Sequence, residues 1–322
     1  MEVAEGIHRL ETPFGDRVNA VYLLVGQRAT LLVDTATRDT AGRIGDHLDE
    51  IGVAREDVRH VLNTHCDWDH AAGNGVVREL LPRAAFCCHE LDRPMVEDVE
   101  LLIRDRYGEY AGPHGYDETE EAKAAVRAGT RTTPIDIGLS GGEVIDLGGG
   151  WRVGVLSTPG HSWGSISVYD PRSRSAIIGD AVLGEAVPRS DGAPAFPPTY
   201  RYVDSYLGSI DLLRQLAPRV LLTGHYPVYR DGAVAEFLLR SRGYVDRVDR
   251  AVRAHLAGAA GPVSMAGLID AVNGVLGHWP AAAAPALHFP LSGHLERLAA
   301  HRLVRARPGA DGRVEYTWQG AP

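Results

Sequence analysis

The sequence has little cysteine, a single lysine and no long apolar run. Its three cysteines, Cys66, Cys87 and Cys88, are too few for a disulfide framework, and the adjacent pair would close only a strained ring, so we expect reduced thiols. Lys123 is the only lysine among 33 basic residues, a bias that we attribute to the base composition of the coding sequence. Nowhere do about eighteen apolar residues follow one another, which argues against a membrane-spanning helix.

The net charge of the chain is negative, at -9. Nucleic acids and anionic membranes attract positive charge, so we expect neither as a partner. The first residues include acidic side chains and no uninterrupted apolar stretch, which predicts a cytoplasmic protein. A chain of 322 residues with 44% hydrophobic side chains is long enough and apolar enough for one large domain with an appendage.

The first part of the chain alternates between strand-like and helical patterns. Residues 18–25 and 29–34 are strongly apolar and flank a Gly-Gln pair, which predicts a hairpin. A helix capped by Thr40 is expected over 39–51, and a short buried strand over 58–62. Chemically capable residues follow that strand directly, and the carboxyl ends of strands are where α/β sheets usually bind ligands.

The rest of the chain falls into three parts. A charged, helical segment over 91–140 interrupts the strand pattern and could form a lid over a cleft. Strands then resume with the same β-then-α character as before. From residue 248 the sequence pattern changes and predicts Ala-rich helices and a hairpin that pairs 303–307 with 313–318 across an Asp-Gly turn. We therefore predict a catalytic domain over 1–247 and a small helical domain with a β-wing over 248–322.

The strongest chemical signal is the segment NTHCDWDH at residues 63–70. It places four metal-capable side chains within six residues, just after a strand: His65, Asp67, Asp69 and His70. Carboxylates this close repel each other and raise each other's pKa unless a cation neutralises them. A polar turn would rarely need two histidines, so we interpret the segment as a metal site.

Three further metal-capable side chains follow short apolar strands. His161 comes after a Thr-Pro-Gly turn, Asp180 ends the run AIIGD, and His225 ends the run VLLTGH. A lone histidine is more often structural than a ligand, so His161 alone would be a weak signal. An apolar strand fixes the residue at its end within the tolerance that a metal site needs, and the repetition of this design favours one shared site.

Together these segments resemble the metallo-β-lactamase superfamily, whose pattern is His-x-His-x-Asp-His, a histidine after Thr-Pro-Gly, an aspartate and a Gly-His. The resemblance covers about residues 1–245 and includes the opening hairpin with its buried Asp34. It implies an α/β protein with an αββα sandwich and metals at one edge. Within the superfamily the spacing is most similar to glyoxalase II-like hydrolases and to bacterial relatives with a C-terminal winged-helix-like domain, which residues 248–322 resemble.

The resemblance also implies a two-metal ligand set. The first ion would be held by His65, Asp67 and His161, the second by Asp69, His70 and His225, and both by a bridging Asp180. The sequence departs from the family pattern at Asp67, which stands where a histidine is usual. A carboxylate there adds one negative charge to the first site, which lowers the Lewis acidity of the ion and shifts preference towards iron or manganese. Zinc also accepts carboxylate oxygen and is the metal we expect first.

By the same resemblance we expect hydrolysis of an ester-like acyl bond, a thioester or a lactone, in a small-molecule or carrier-bound substrate. Two ions about 3.5–4 Å apart can share a hydroxide that attacks the carbonyl, with no serine or cysteine nucleophile. Asp69 would accept a proton or orient the hydroxide. Two candidate substrate contacts are Tyr226, as a donor to the carbonyl oxygen, and His114, from the inserted segment. We interpret Cys66 as a packing residue.

Two other functions are kept as alternatives. Asp67 matches the acidic residue of di-iron relatives, so a di-iron redox enzyme or oxygenase on the same fold is the first of them. A nuclease or nucleic-acid-binding protein is less expected, because residues 251–322 contain six arginines and four acidic residues that are spread rather than clustered. The C-terminal region is expected instead to pack on the sandwich, to wall the substrate cleft or to form a homodimer.

Overall fold

The computed structural model describes residues 1–320. Within them, one large sheet has seven strands that neighbour one another in chain order. They are β1 (Glu2–Ala4), β2 (Ile7–Phe14), β3 (Arg17–Val25), β4 (Thr30–Val33), β5 (Val58–Leu62), β6 (Ala85–His89) and β7 (Ile137–Leu139). Strands β1 to β4 are antiparallel and β4 to β7 are parallel. The predicted hairpin and the predicted strand over 58–62 are confirmed as β3, β4 and β5.

A second large sheet and a small hairpin follow along the chain. Their strands are β8 (Val144–Gly148), β9 (Trp151–Ser157), β10 (Ile166–Asp170), β11 (Ser175–Gly179), β12 (Val187–Pro188), β13 (Pro194–Phe196), β14 (Val220–Thr223) and β15 (Tyr229–Arg230). The sheet has the order β15-β14-β11-β10-β9-β8, while β12 and β13 pair with each other. Only β11 and β14 are parallel neighbours in this described sheet.

Helices cover the outer faces of both sheets. The described α-helices are α1 (Arg43–Glu50), α2 (Trp68–Ala71), α3 (Asn74–Leu80), α4 (Arg93–Glu97), α5 (Val99–Leu101), α6 (Ala111–His114), α7 (Glu120–Ala128), α8 (Val203–Leu216), α9 (Gly232–Gly258), α10 (Met265–Leu276) and α11 (His288–Ala300). A π-helical turn, Leu102–Tyr107, follows α5. None of the described helices has the length and apolarity that a bilayer crossing requires.

Strand β3 shows how both faces of the first sheet are buried. Its side chains alternate, so that Val21 and Leu23 belong to the hydrophobic core under α1, whereas Tyr22 and Leu24 belong to the core between the two sheets. A third core lies on the outer face of the second sheet, under α8 and α9. The two sheets therefore stack between two helical layers, which confirms the predicted αββα sandwich.

The first helix begins later than predicted. It starts at Arg43 with Gly42 before it, so Thr40 does not cap it. The Thr40 hydroxyl lies 2.9 Å from the hydroxyl of Thr37, and the Thr40 carbonyl accepts from the Arg43 amide at 3.1 Å. A tight turn thus occupies the residues before the helix, and the predicted cap was wrong.

The inserted segment over 91–140 is helical, as predicted. It contains α4 to α7 and the π-helical turn. It also contains β7, which the sequence patterns did not reveal and which pairs with β6 at the edge of the first sheet. The insertion is therefore anchored in the sheet at its end.

The C-terminal region is joined to the sandwich by one continuous helix. Helix α9 crosses the predicted boundary between residues 247 and 248. Beyond it, α10 and α11 are accompanied by a three-stranded sheet of β16 (Val263–Ser264), β17 (Val304–Pro308) and β18 (Val314–Trp318). Strands β17 and β18 confirm the predicted hairpin.

One hydrophobic core connects this region with the sandwich. Leu213 of α8, Val245 of α9, Leu268 of α10 and Leu291 of α11 all belong to it, and each is almost completely buried. The C-terminal region therefore packs on the outer helices of the second sheet. The division of the chain into two domains stays a prediction.

Candidate metal centre

The seven predicted metal-binding side chains gather at one edge of the sandwich. Strands β5, β9, β11 and β14 are each followed by part of the set, so all parts are delivered by strand ends. The side chains are all buried: His65, Asp67, Asp69, His70, His161, Asp180 and His225. Because β5, β11 and β14 are paired on both sides within their sheets, the backbone holds these ends in fixed positions.

Six of the seven form two groups of three, in which the ligand atoms lie within 4.8 Å of one another. The first group is His65, His161 and Asp180, and the second group is Asp69, His70 and His225. Ligand atoms around a tetrahedral ion with bonds of about 2.0–2.1 Å stand roughly 3.4 Å apart. The Nε2 atom of His225 lies 3.3 Å from Asp69 Oδ2 and 3.1 Å from Asp180 Oδ2, close to this spacing. Asp180 therefore touches both groups, as a bridging ligand would.

The four histidines are each held through ring atom Nδ1. The acceptors are Thr64 Oγ1 for His65 at 3.0 Å, Asp34 Oδ2 for His70 at 2.9 Å, the Thr199 carbonyl for His161 at 3.2 Å and the Val18 carbonyl for His225 at 2.9 Å. A neutral ring that donates from Nδ1 has its lone pair on Nε2. These contacts orient all four rings, and a proton on Nδ1 of each ring would leave its Nε2 for a metal ion.

Asp34 is the shared anchor behind two of these rings. Its Oδ2 accepts from His70 Nδ1 and from the Thr64 hydroxyl, both at 2.9 Å, and Thr64 in turn holds His65. Its Oδ1 accepts from the Thr64 amide at 2.7 Å. The residue has a left-handed backbone conformation with a φ of 66°, which is strained for a non-glycine residue and is maintained by these contacts. The buried Asp34 expected from the opening hairpin is confirmed.

Three buried ligand atoms have no hydrogen-bond partner within residues 1–320. They are Nε2 of His65, Nε2 of His70 and Oδ1 of Asp180. An unsatisfied buried acceptor costs about 1–3 kcal/mol, and more when it is charged. Three such atoms facing one region are explained by a cation that accepts their lone pairs, so the residues present fit metal ions.

The electrostatics of the site also favour a cation. Burial alone would lower the pKa of His70, but the carboxylates of Asp69, Asp180 and Asp34 raise it to about 10. Burial alone would raise the pKa of Asp180, but His225 and His70 hold it well below its ordinary value. In the metal-free protein a proton on His70 therefore stands in for part of the positive charge that a metal would bring.

Gly224 leaves room for the ligands, and its replacement is expected to empty the site. A Cβ at this position would lie 2.4 Å from Asp180 Oδ1 and 2.7 Å from His70 Cε1. We expect Gly224→Ala to displace one of these side chains and to lower metal affinity by about 10–100-fold, as loss of ligand orientation typically does. The check is metal titration of the chelator-treated variant, with Gly243→Ala as the control, because a Cβ there meets nothing within 4 Å. Equal affinity in both variants would contradict the expectation.

Asp67 lies beside the first group but is bound by an arginine. Its Oδ2 is 2.8 Å from His161 Nε2 and 3.6 Å from His65 Nε2, distances that suit a common ligand sphere. Both of its oxygens also accept from Arg106, Oδ1 from Nε at 2.9 Å and Oδ2 from Nη2 at 3.1 Å. Burial raises the pKa of Asp67, yet Arg106 and the neighbouring histidines hold it well below its usual range. The ligand role of Asp67 stays a prediction.

Arg106 is the main residue of the site that sequence reasoning missed. It lies in the π-helical turn Leu102–Tyr107 of the inserted segment, a type of turn that often occurs at functional sites. Arg104, two residues earlier, pairs with Asp105 on the surface. No spacing in the sequence distinguishes the buried arginine from the exposed one, because the difference depends on how the turn packs.

A cavity of about 530 Å³ opens in front of the metal-binding side chains. Asp69, Asp180 and His225 lie at one end of it. Much of the remaining wall is apolar or aromatic, with contributions from Phe14, Trp68, Tyr107, Val187, Phe196 and Phe289. Tyr107 comes from the inserted segment and Phe289 from α11, so the insertion and the C-terminal region both wall the cavity.

The two predicted substrate contacts lie elsewhere. His114 does not line this cavity: it is buried, stacks on Tyr110 and has its Nε2 2.8 Å from the hydroxyl of Tyr316. Burial lowers its pKa to about 4, so it is a neutral packing residue. The hydroxyl of Tyr226 donates to the Leu183 carbonyl, and the ring lines a second cavity of about 590 Å³ on the other side of His225. The substrate-contact role of both residues stays a prediction from the sequence.

The fold and the site define a metal-binding αββα sandwich, and comparison with known proteins names its family. The sequence profile of the metallo-β-lactamase superfamily matches residues 14–225. The chain belongs to this superfamily. Two similar curated proteins are described as probable metallo-hydrolases, one from Methanocaldococcus jannaschii and one from Bacillus subtilis. The first is 24% identical over 170 residues, 53% of this chain and 70% of that protein, and the second is 24% identical over 227 residues, 67% and 70%.

A solved structure with a similar fold extends over nearly the whole chain. It is a metallo-β-lactamase family protein from Thermus thermophilus, with a TM-score of 0.73 and 24% identity, and the match covers 99% of this chain and 100% of that one. At this identity the likeness concerns the fold. It includes the C-terminal region, so the appendage as well as the sandwich has a counterpart in a known structure.

Proposed function

We propose that the protein is a metal-dependent hydrolase of an ester-like acyl bond, a thioester or a lactone, with two divalent ions, zinc first among them. The observation that carries this proposal is the convergence of two groups of buried ligand atoms at the end of an apolar cavity. Superfamily membership and the relatives described as metallo-hydrolases support the hydrolytic class.

Each part of the site has its own task in this proposal. The first and second groups would hold one ion each, with Asp180 within reach of both. Bound divalent ions supply Lewis acidity towards a carbonyl oxygen and make water nucleophilic near neutral pH. Asp69 lines the cavity and has Oδ2 beside His225, so it is positioned to accept the proton that the nucleophile releases. Burial raises the pKa of Cys66, whose thiol therefore stays protonated and does not act as a nucleophile.

The cavity favours a substrate with an apolar acyl part. Trp68, Tyr107 and Phe289 supply aromatic surface to the cavity that Asp69, Asp180 and His225 also line, and a volume of about 530 Å³ suits a small molecule or the acyl end of a carrier-bound one. Burying the acyl part against these rings would bring its carbonyl carbon towards the ions and exclude water from the rest of the cavity. The cavity does not select between a thioester and a lactone.

The alternatives receive less support from this geometry. The di-iron redox function was motivated by the additional negative charge of Asp67, and Arg106 offsets that charge. The nucleic-acid function depended on the C-terminal region, and part of that region, including Phe289, faces the cavity. A wall of the substrate site is therefore the role we propose for it. The cytoplasmic location and the homodimer stay predictions from the sequence.

The test combines metal content with a substrate panel. Protein purified without chelators or affinity metals is expected to contain close to two zinc ions per chain by plasma mass spectrometry. It is expected to hydrolyse thioesters or lactones with apolar acyl groups faster than analogues with charged acyl groups. His65→Ala and His225→Ala, one from each group, should each lose about one ion.

The outcomes separate the candidate functions. Two irons per chain, with no hydrolysis of any panel member, would favour the redox alternative. Protein that binds no stoichiometric metal, even after zinc is added back, would overturn the proposed function.

A further inference from the structure

The ion pair between Asp67 and Arg106 is buried and has two parallel contacts. The side chains are 13% and 6% exposed, and the contacts measure 2.9 and 3.1 Å. Such a fork fixes the orientation of the carboxylate as well as its position. The ring of Phe289 lies beside the guanidinium, with its centroid 5.2 Å from Arg106 Cζ, so α11 supports the pair from the other side.

The guanidinium of Arg106 does not block the side of the His161 ring from which Nε2 would bind a metal ion. Arg106 Nη2 is 3.1 Å from Nε2 and 3.5 Å from Nδ1 of His161. A nitrogen on the lone-pair axis of Nε2 would be much nearer to Nε2 than to Nδ1, which lies across the ring. The nearly equal distances therefore place Nη2 over the ring. The hydrogen-bond partner of Nε2 is instead Asp67 Oδ2, at 2.8 Å, so this oxygen lies on the side of the ring from which Nε2 would bind a metal ion.

We propose that Arg106 acts through Asp67 by cancelling the charge of this carboxylate, whose Oδ2 would be a fourth ligand beside the three of the first group. The proposal rests on the proposed function, because it assumes that the first group binds an ion. A carboxylate with a bidentate arginine has no net charge, so the site carries the same charge as one with a third imidazole. The extra negative charge inferred from the sequence is thereby compensated by a residue 39 positions further along the chain.

Loss of charge compensation and loss of ligand orientation change metal affinity in opposite directions. Removing Arg106 leaves Asp67 as an uncompensated buried carboxylate, which destabilises the metal-free protein and attracts a divalent ion more strongly. Removing a residue that only orients a ligand would instead lower metal affinity by about 10–100-fold. The direction of the change in affinity therefore distinguishes the two roles.

The experiment measures zinc affinity and melting temperature in a set of charge variants. All carry His225→Ala, which disables the second group, and Arg104→Gln serves as the exposed control. Arg106→Gln is expected to raise the zinc association constant by about tenfold and to lower the melting temperature of the metal-free protein. Arg106→Lys keeps the charge without the fork and should differ less from the parent in both measurements.

A double-mutant cycle isolates the interaction between Asp67 and Arg106. With Asp67→His, Arg106 has no counter-charge, so metal affinity and the melting temperature of the metal-free protein should both fall. Adding Arg106→Gln to Asp67→His should then raise the melting temperature, the reverse of its effect beside Asp67. If Arg106→Gln alone fails to fold, folding of the Asp67→His, Arg106→Gln protein supports the proposal, and failure of both overturns it.

The outcomes also distinguish this inference from the proposed function. Lower or unchanged zinc affinity in Arg106→Gln, in a parent that binds zinc, overturns the role of Arg106 and leaves the hydrolase intact. A wild-type protein that binds no zinc overturns both.

Discussion

Asp180→Asn is expected to lower kcat/KM for the best substrate by about a thousandfold or more. Asp180 belongs to the first group and also reaches the second, with Oδ2 3.1 Å from His225 Nε2 and Oδ1 3.7 Å from His70 Nε2. An amide is a weaker ligand than a carboxylate and lacks its negative charge, so under the proposed two-ion function the variant should bind divalent metal less tightly. The measurements are steady-state kinetics and metal content per chain, made on the same preparations.

The matched control for this variant is Asp39→Asn, which makes the same chemical change at an exposed position. The control should retain both wild-type activity and wild-type metal content. An Asp180→Asn protein that keeps two ions and more than about a tenth of the activity would show that Asp180 is not the bridging ligand.

Removal of the metals is expected to cost much of the stability of the fold. Ligands that bind only the folded state stabilise it by about 4 kcal/mol when their free concentration is 1,000 times Kd. The site lies at the ends of strands from both sheets, so its loss weakens the edge where the two sheets meet. Urea unfolding with zinc and with a chelator should give this difference in the free energy of unfolding. Superimposable unfolding curves would show that the metals do not stabilise the fold.

The metal-free protein should also lose stability as the pH rises. Despite burial, Asp69, Asp180 and Asp34 raise the pKa of His70 to about 10 in the folded state, above its ordinary value of 6.5. A raised pKa means that the folded state binds the proton more tightly, so the contribution is complete below pH 6.5 and is lost as the pH rises through about 10. Metal binding displaces that proton, so the stabilisation by zinc should grow over the same range. A metal-free protein of constant stability between these pH values would contradict this account.

The positions of the metal-binding side chains could be predicted because they are set locally. His65, Asp180 and His225 each follow a short apolar strand, and such strands must be buried in the sheets. Strand ends at the carboxyl edge then bring the side chains together without any detailed knowledge of packing. The burial of Asp34 at the end of the opening hairpin was implied by the family resemblance.

Predictions about side chains in irregular segments were less successful. His114 was expected in the cleft and instead pairs with Tyr316, and the Tyr226 hydroxyl is bound to the Leu183 carbonyl. Thr40 was expected to cap a helix and instead belongs to a turn with Thr37. In such segments a side chain direction follows from the neighbours it meets, and sequence spacing does not identify those neighbours.

The sequence by itself determined the set of metal-capable side chains, because these follow from apolar strands and the residues at their ends, and its resemblance to a known family implied the layers of the sandwich. Only the tertiary structure decided that Arg106 pairs with Asp67 and that Phe289 of α11 walls the same cavity. Those contacts join segments that are far apart along the chain, and their geometry depends on how a π-helical turn and a C-terminal helix pack against the sandwich. Packing of this kind leaves no periodic trace in the sequence, whereas burial of a strand does.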